Sequence, residues 1–146
     1  MADSATAALT AVFGVAVFVV GQATQRFVLE PVQDQRKAIG EIAHAVLMYG
    51  NVNNVDDARA RGLPIRWSTD PDQVVRDVRA LAARLQSSLY VIPAYRLLSL
   101  MHIVPRRAQI LRAIQGLIGW SNSIYSGGVM AAQEIVVEAL GIVRNA

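Results

Sequence analysis

The chain of 146 residues contains no cysteine. This absence excludes disulfide bonds, thiolate metal sites and cysteine nucleophiles. The sequence also lacks a Walker-type phosphate loop, a dinucleotide-binding fingerprint and a Gly-x-Ser-x-Gly elbow. No alternating strand pattern of useful length and no internal repeat is present. We therefore expect an all-α chain, and we assign no catalytic residue, metal site or cofactor.

Ionisable side chains are missing from residues 4–25, a stretch of 22 residues between Asp3 and Arg26. As a helix of about 1.5 Å per residue, it would span roughly 33 Å. That length is sufficient to cross the hydrocarbon layer of a bilayer, which is about 30 Å thick. The sequence therefore predicts a transmembrane helix over residues 4–25 and a helical cytoplasmic domain over residues 26–146.

The flanking charges separate a membrane anchor from a cleaved signal peptide. A signal peptide begins with a basic region and ends at a small-residue cleavage site. Here no Lys or Arg precedes the apolar stretch, and Arg26, Arg36 and Lys37 follow it. We expect an uncleaved signal anchor, with a cleaved signal and a buried core helix as alternatives. By the positive-inside rule, the N-terminus lies outside and the rest of the chain in the cytoplasm.

Acidic residues are missing from a second stretch, residues 79–133, which carries six arginines. A block of six positive charges beside a membrane segment points to anionic lipid headgroups, each juxtamembrane cation being attracted by about 1 kcal/mol. Nucleic-acid phosphates are the other candidate, but the residues between the arginines are aliphatic, so nucleic acid is an unlikely partner. The predicted lipid-binding residues are Arg79, Arg84, Arg96, Arg106, Arg107 and Arg112.

Helical spacing and capping signals divide the rest of the chain into about six helices. The strongest start is Asp70-Pro71-Asp72, a capping carboxylate followed by proline at the first helical position. Residues 93–104 carry Arg96 and His102 and are too short to span a bilayer, so they are expected either at the membrane surface or in the core. The pattern predicts a bundle of four to five helices, at about 31–49, 55–61, 71–90, 93–104, 107–120 and 129–143.

A stripe of small residues in the apolar segment continues, at steps of three and four, as Val and Ile beyond it. Small residues allow helices to approach closely in a membrane, and Val and Ile suit a seam in water. Two interpretations are open: the stripe joins identical chains, or it packs on the later helices of its own chain. Pro31 would either kink this helix or start a second one. The candidate oligomerisation residues are Ala7, Ala11, Gly14, Gly21, Val32, Ile39, Ile42 and Val46.

Glu41 and His44 form a Glu-x-x-His pair on a predicted helix, a spacing that di-iron bundles use. Such sites need a second pair and two further carboxylates. Glu134 and Glu138 come without a histidine, and His102 has no acid three residues before it. We therefore interpret Glu41 and His44 as solvated side chains.

Several segments resemble a group of small bacterial membrane proteins without an assigned role. They are residues 27–31 (FVLEP), 36–42 (RKAIGEI), 89–98 (LYVIPAYRLL), 104–107 (VPRR) and 117–123 (LIGWSNS). The resemblance implies a bacterial inner-membrane protein with a helical cytoplasmic part, and it implies no activity.

Taken together, these features favour a membrane-anchored binding or assembly protein, either a scaffold or an accessory subunit. Its expected partners are anionic lipid and, as two alternatives, further copies of itself or a larger membrane complex. The alternative is a homo-oligomeric channel or pore subunit. A membrane-bound enzyme is the third and weakest interpretation.

Overall fold

A computed structural model describes residues 2–50, 52, 55–62 and 69–142, and the side chains of residues 2–5 and 7 are excluded from that description. Within these ranges the chain is helical and contains no strand, which confirms the all-α prediction there. The side chain of Ala7, a candidate oligomerisation residue, is among those excluded. The helices are α1 (Ala2–Thr24), α2 (Glu30–Met48), α3 (Val55–Ala60), α4 (Pro71–Val91), α5 (Tyr95–Leu100), α6 (Arg107–Ser126) and α7 (Val129–Leu140).

The helix α1 continues into α2 through one π-helical turn, Gln25–Leu29, without interruption. The backbone N–H of Glu30 donates to the carbonyl of Gln25, five residues earlier. The next residue, Pro31, has no N–H and would clash with the carbonyl of Phe27 in a regular α-helix. A π turn widens the helix at this point, and π turns are one of the recognised ways in which helices absorb such a defect. Pro31 therefore neither ends the helix nor starts a separate one.

The π turn changes which side chains of α1 and α2 share a face. A residue advances an α-helix by about 100°, and the wider turn accommodates about one residue more than an α-turn. The stripe predicted at uniform α-helical steps therefore turns by roughly a quarter of the circumference between Gly21 and Val32. The small-residue face of α1 and the buried face of α2 are two faces and not one continuous seam.

Helix α4 packs between α2 and α6, and α7 packs on α6. Helices α2 and α4 are antiparallel, because Gln35 near the start of α2 bonds Ser88 near the end of α4, whereas Tyr49 after the end of α2 bonds Asp77 in the first half of α4. The Asp70 carboxylate accepts from the N–H of Asp72 at 3.3 Å, so α4 has the capped start that its sequence predicts. The largest fully buried apolar side chains are Ile42, Leu85, Ile110, Leu117, Trp120 and Ile124.

The α2 part of the predicted oligomerisation stripe belongs to this core. Val32, Ile42 and Val46 are 5%, 0% and 2% exposed, and Ile39 is partly buried against the same cluster. These side chains meet α4 and their neighbours in the same chain, which is the second of the two interpretations given above. Because they are already covered, they offer no surface to another copy.

Three helix boundaries differ from the sequence expectation. Helix α7 ends at Leu140 and not at residue 143, because Gly141 adopts a left-handed conformation (φ 65°) that stops the helix. Pro93 does not open α5, because Ala94 adopts a left-handed conformation (φ 49°) and the helix begins at Tyr95. Helix α6 runs past residue 120 to Ser126, since the hydroxyls of Ser121 and Ser123 donate to the carbonyls of Ile118 and Gly119 on the same helix. Serine hydroxyls that bond back to the preceding turn allow a helix to continue.

Candidate functional site

The side chains of α1 that the structure describes are exposed along the whole helix. Large apolar residues such as Val12, Phe13 and Phe18 are 65–67% exposed. The hydroxyls of Thr10 and Thr24 donate to the carbonyls of Thr6 and Val20, so these polar groups are satisfied within the helix. Among the described residues, this continuous helix is the one long and apolar enough to cross a membrane.

Helix α5 lies beside the first two turns of α2, next to the point where the apolar helix ends. The Arg36 guanidinium donates to the carbonyl of Ile103 at 3.2 Å, just after α5. Val32 of α2 forms a small separate core with Ile92 and Val104, which flank α5 on either side. These contacts fix the segment of residues 92–105 at the end of the helical domain that is nearest to α1. We call this end, where α2 begins, the anchor end.

Apolar side chains at this end remain uncovered. None of the residues of α5 is buried. Leu100 is 75% exposed, Met101 60% and Leu97 58%. Large apolar groups that are exposed together, with cations at their margin, mark a surface that contacts another molecule or a membrane. The α5 patch consists of Tyr90, Val91, Leu97, Leu100 and Met101.

The predicted lipid-binding arginines divide into two groups in the structure. Arg84 pairs with Glu41, Arg112 with Glu138 at 2.8 Å, and Arg79 donates to Ser121 and Asn122. The second group, Arg96, Arg106 and Arg107, is exposed and has no carboxylate of the described chain within ion-pair distance. This second group sits on α5 and at the start of α6, beside the α5 patch.

A buried hydrogen-bond network, centred on Gln35, ties α2, α4 and α5 together. The Gln35 amide Nε2 donates to Ser88 Oγ at 2.9 Å and to Tyr95 Oη at 3.1 Å. Ser88 in turn donates to the carbonyl of Leu85, and Tyr95 to the carbonyl of Pro105. Burial raises the pKa of the Tyr95 phenol, and the hydrogen bond from Gln35 opposes that rise in part. The apolar spacing of α2 gave no hint of this network, since a glutamine at a core position is a polar exception to it.

A cavity of about 380 Å³ opens next to this network, between the start of α2 and the last turns of α4. Arg26, Glu30, Gln35, Ser87 and Val91 are among its lining residues. The cavity therefore lies directly below the apolar part of the long helix. Sequence reasoning did not identify it, because its two walls are 50 residues apart in the chain.

Glu41 and His44 line a shallow depression with Tyr49 and Asp77, away from the anchor end. The Glu41 carboxylate is paired with Arg84, and Tyr49 donates to Asp77 at 3.1 Å. Burial raises the pKa of Tyr49, and the hydrogen bond to Asp77 and the charge of that carboxylate raise it further. Across the residues that the structure describes, no group of three or more His, Asp or Glu side chains is placed to hold a metal ion.

Comparisons of the chain with protein-family models, with curated proteins and with solved structures found no match. The functional argument therefore depends on the geometry of the chain itself.

Proposed function

We propose that this chain is a single-pass membrane protein whose helical bundle rests on an anionic cytoplasmic leaflet and serves in binding or assembly there. The observation that carries this proposal is the α5 patch, an exposed apolar surface held beside the end of an exposed apolar helix. If α1 crosses the bilayer, the α5 patch lies at the level of the lipid headgroups. An apolar surface flanked by arginines is the composition of an interfacial segment.

The energy available from the patch is sufficient to hold it at the membrane. Fully burying a large apolar side chain gains about 1.5–3 kcal/mol. Leu97, Leu100 and Met101, each more than half exposed, would together contribute about 3–6 kcal/mol after allowance for partial burial. Three neighbouring arginines would add about 1 kcal/mol each on an anionic leaflet.

The position of Arg106 and Arg107 also supports lipid contact. They stand at the start of α6, whose first turn contains no acidic residue. Cations at this end of a helix face the positive pole of the helix dipole, which costs typically 0.3–1 kcal/mol for each. When a charge is locally unfavourable and has no partner within its own chain, it is expected to interact with another molecule, here an anionic lipid.

Distance from the anchor limits the lipid contact to the second group of arginines. Eleven residues of helix separate Glu30 from Glu41, the partner of Arg84, which is about 16 Å at about 1.5 Å per residue. Asp77 bonds Tyr49, about 28 Å from Glu30, and Arg79 lies within one turn of Asp77. The attraction of an anionic surface falls off within a Debye length of about 8 Å. We therefore propose Arg96, Arg106 and Arg107 as lipid contacts and not Arg79 or Arg84, while Arg112 is already paired with Glu138.

Charges at the same end of the molecule support the proposed orientation. Arg26, Arg36 and Lys37 follow the apolar segment within the range over which the positive-inside rule operates. We propose on this ground that the helical domain lies inside and the N-terminus outside, across the inner membrane of a bacterial cell.

The absence of cysteine permits a direct test, because an introduced cysteine is a unique labelling site. Leu100 and Leu47 are 75% and 76% exposed, but Leu100 belongs to the α5 patch and Leu47 lies near the far end of α2. We expect a fluorophore at Leu100→Cys to be quenched by nitroxide-labelled lipids in anionic nanodiscs, and one at Leu47→Cys not to be. Equal quenching at the two positions, or equal quenching in anionic and zwitterionic nanodiscs, would refute contact of the patch with an anionic leaflet.

A homo-oligomeric channel or pore subunit is the second candidate, supported by α1 alone. Ala11, Gly14 and Gly21 are exposed, and an added Cβ at either glycine would meet nothing within 4 Å. In this alternative, the interface between copies is confined to the membrane, because the corresponding face of α2 is buried in its own chain.

A further inference from the structure

The cavity at the anchor end contains two opposite charges that no described residue neutralises. Arg26 and Glu30 both line it, and neither forms an ion pair with any described residue. Two other charged residues of the cavity wall are paired, Arg84 with Glu41 and Asp34 with Lys37. The cavity thus presents one free cation and one free anion among the described residues that line it.

The π turn accounts for the separation of these two charges. In an α-helix, residues four apart lie on the same face and an Arg and a Glu there would attract each other. Arg26 lies inside the π turn and Glu30 directly follows it. The wider turn brings residues five apart into register, so this pair is moved out of the α-helical alignment.

A third group of the cavity wall lacks a partner. Gln35 is 1% exposed, and its Oε1 accepts no hydrogen bond. The orientation of this amide is determined by its neighbours: Ser88 and Tyr95 each use their one hydroxyl proton on a backbone carbonyl, so both can only accept from Nε2. An unpaired buried acceptor carries a free-energy cost.

We propose that this cavity binds a phosphate ester that carries a primary ammonium group, the headgroup chemistry of an aminoethyl phospholipid. The phosphate would accept from the Arg26 guanidinium and the Ser87 hydroxyl, and the ammonium would donate to the Glu30 carboxylate. A volume of about 380 Å³ is within the range of small-ligand sites. The inference rests on the proposed function, because a membrane-spanning α1 places Arg26 at headgroup level.

The test compares two lipids that differ only in the substituents of the headgroup nitrogen, three hydrogens in one and three methyl groups in the other. Phosphatidylethanolamine has three N–H groups, whereas phosphatidylcholine has the same charge and none. We expect native mass spectrometry of the full chain, in detergent with equimolar lipids of identical acyl chains, to show preferential retention of phosphatidylethanolamine. The expected preference is about tenfold, the ratio that one charge-assisted hydrogen bond gives.

Glu30→Gln should abolish the preference, whereas Arg26→Gln should lower the retention of both lipids, because the phosphate that Arg26 binds is common to them. Glu134→Gln on α7 and Arg59→Gln on α3 make the same chemical changes at exposed positions outside the cavity and should change neither the preference nor the retention. Equal retention of the two lipids by the unmodified chain, or a preference that survives Glu30→Gln, would overturn the proposal. Quenching at Leu100 tests the leaflet contact separately, so a normal quenching result with no lipid preference refutes only the cavity assignment.

Soluble phosphoethanolamine distinguishes the source of the headgroup. Calorimetric binding of this ester to the detergent-solubilised chain, abolished by Glu30→Gln, would assign the cavity to the free ester as well. A lipid preference without such binding would assign it to the membrane lipid. Absence of both results refutes the site.

Discussion

Replacing Gly116 by alanine should destabilise the protein, because α6 and α7 meet at this glycine without room for a side chain. A Cβ at Gly116 would lie 2.7 Å from Cγ2 of Val136 and 3.2 Å from the carbonyl oxygen of Ala132. Val136 is fully buried, so its methyl group cannot move into solvent. Gly119, one turn later, faces the same helix, but its added Cβ would meet the Ala132 side chain at an ordinary 3.8 Å.

The two glycines form a matched pair from which the packing cost can be obtained. In both substitutions, alanine gains about 0.8–1 kcal/mol of helix propensity. Overpacking a filled core costs typically 1–3 kcal/mol. The free energies of unfolding of Gly116→Ala and Gly119→Ala should therefore differ by about 1–3 kcal/mol, with Gly119→Ala neutral or stabilised.

Urea unfolding of the full chain in detergent micelles, followed by circular dichroism and by tryptophan fluorescence, measures this difference. Equal stabilities of the two variants, or a more stable Gly116→Ala, would refute the close approach of α6 and α7. One of the two tryptophans, Trp120, is fully buried on α6, one residue after Gly119, and reports on the same region.

Two further predictions concern the alkaline range and the membrane segment. Burial raises the pKa of Tyr95 above its ordinary value of 10.0. As the pH rises past 10, the unfolded chain therefore loses this proton before the folded chain does. The free energy of unfolding falls over this range, until the pH passes the folded-state pKa. One such group lowers the free energy of unfolding by at most about 1.4 kcal/mol per pH unit. In urea titrations above pH 10, the stability of Tyr95→Phe should therefore fall less steeply with pH than that of the unmodified chain. Equal slopes for the two proteins would contradict the burial of this phenol. If α1 joins copies through its small-residue face, Gly14→Leu and Gly21→Leu should abolish cross-linked oligomers in membranes, whereas a native chain that is monomeric at every lipid dilution excludes the channel.

The sequence was sufficient to predict the elements whose signals are local. The capped start of α4 at Asp70 and Pro71 appears where the sequence places it, since a carboxylate cap and a first-turn proline act within a few residues. The apolar helix was equally readable, because the absence of charge over 22 residues needs no knowledge of the fold.

Features that depend on tertiary contacts could not be predicted from the sequence in the same way. Gly116 and Gly119 were too sparse to indicate a phosphate loop, and only the packing of α7 shows that Gly116 serves close helix approach. The exposure of Leu97 and Leu100 could not follow from helical spacing either. A periodic apolar pattern indicates a face but does not say whether protein covers it.

The π turn joins α1 rigidly to α2, and a flexible linker would not transmit the orientation of one helix to the other. Helices α1 and α2 are one continuous helix, and α2 is held by α4 through a buried face and the Gln35 network. If α1 crosses the bilayer as proposed, its rotation must therefore rotate the helical domain, and the proposed contact of the α5 patch with the leaflet would restrict that rotation in turn. It follows that a partner which packs on one face of α1 meets the helical domain in one orientation, because the π turn sets the angle between that face and the buried face of α2. Deleting one residue from Gln25–Leu29 would turn α1 by about 100° relative to α2 while leaving the apolar length unchanged. An assembly role predicts that such a deletion disrupts partner cross-linking at α1, whereas a simple tether would tolerate it.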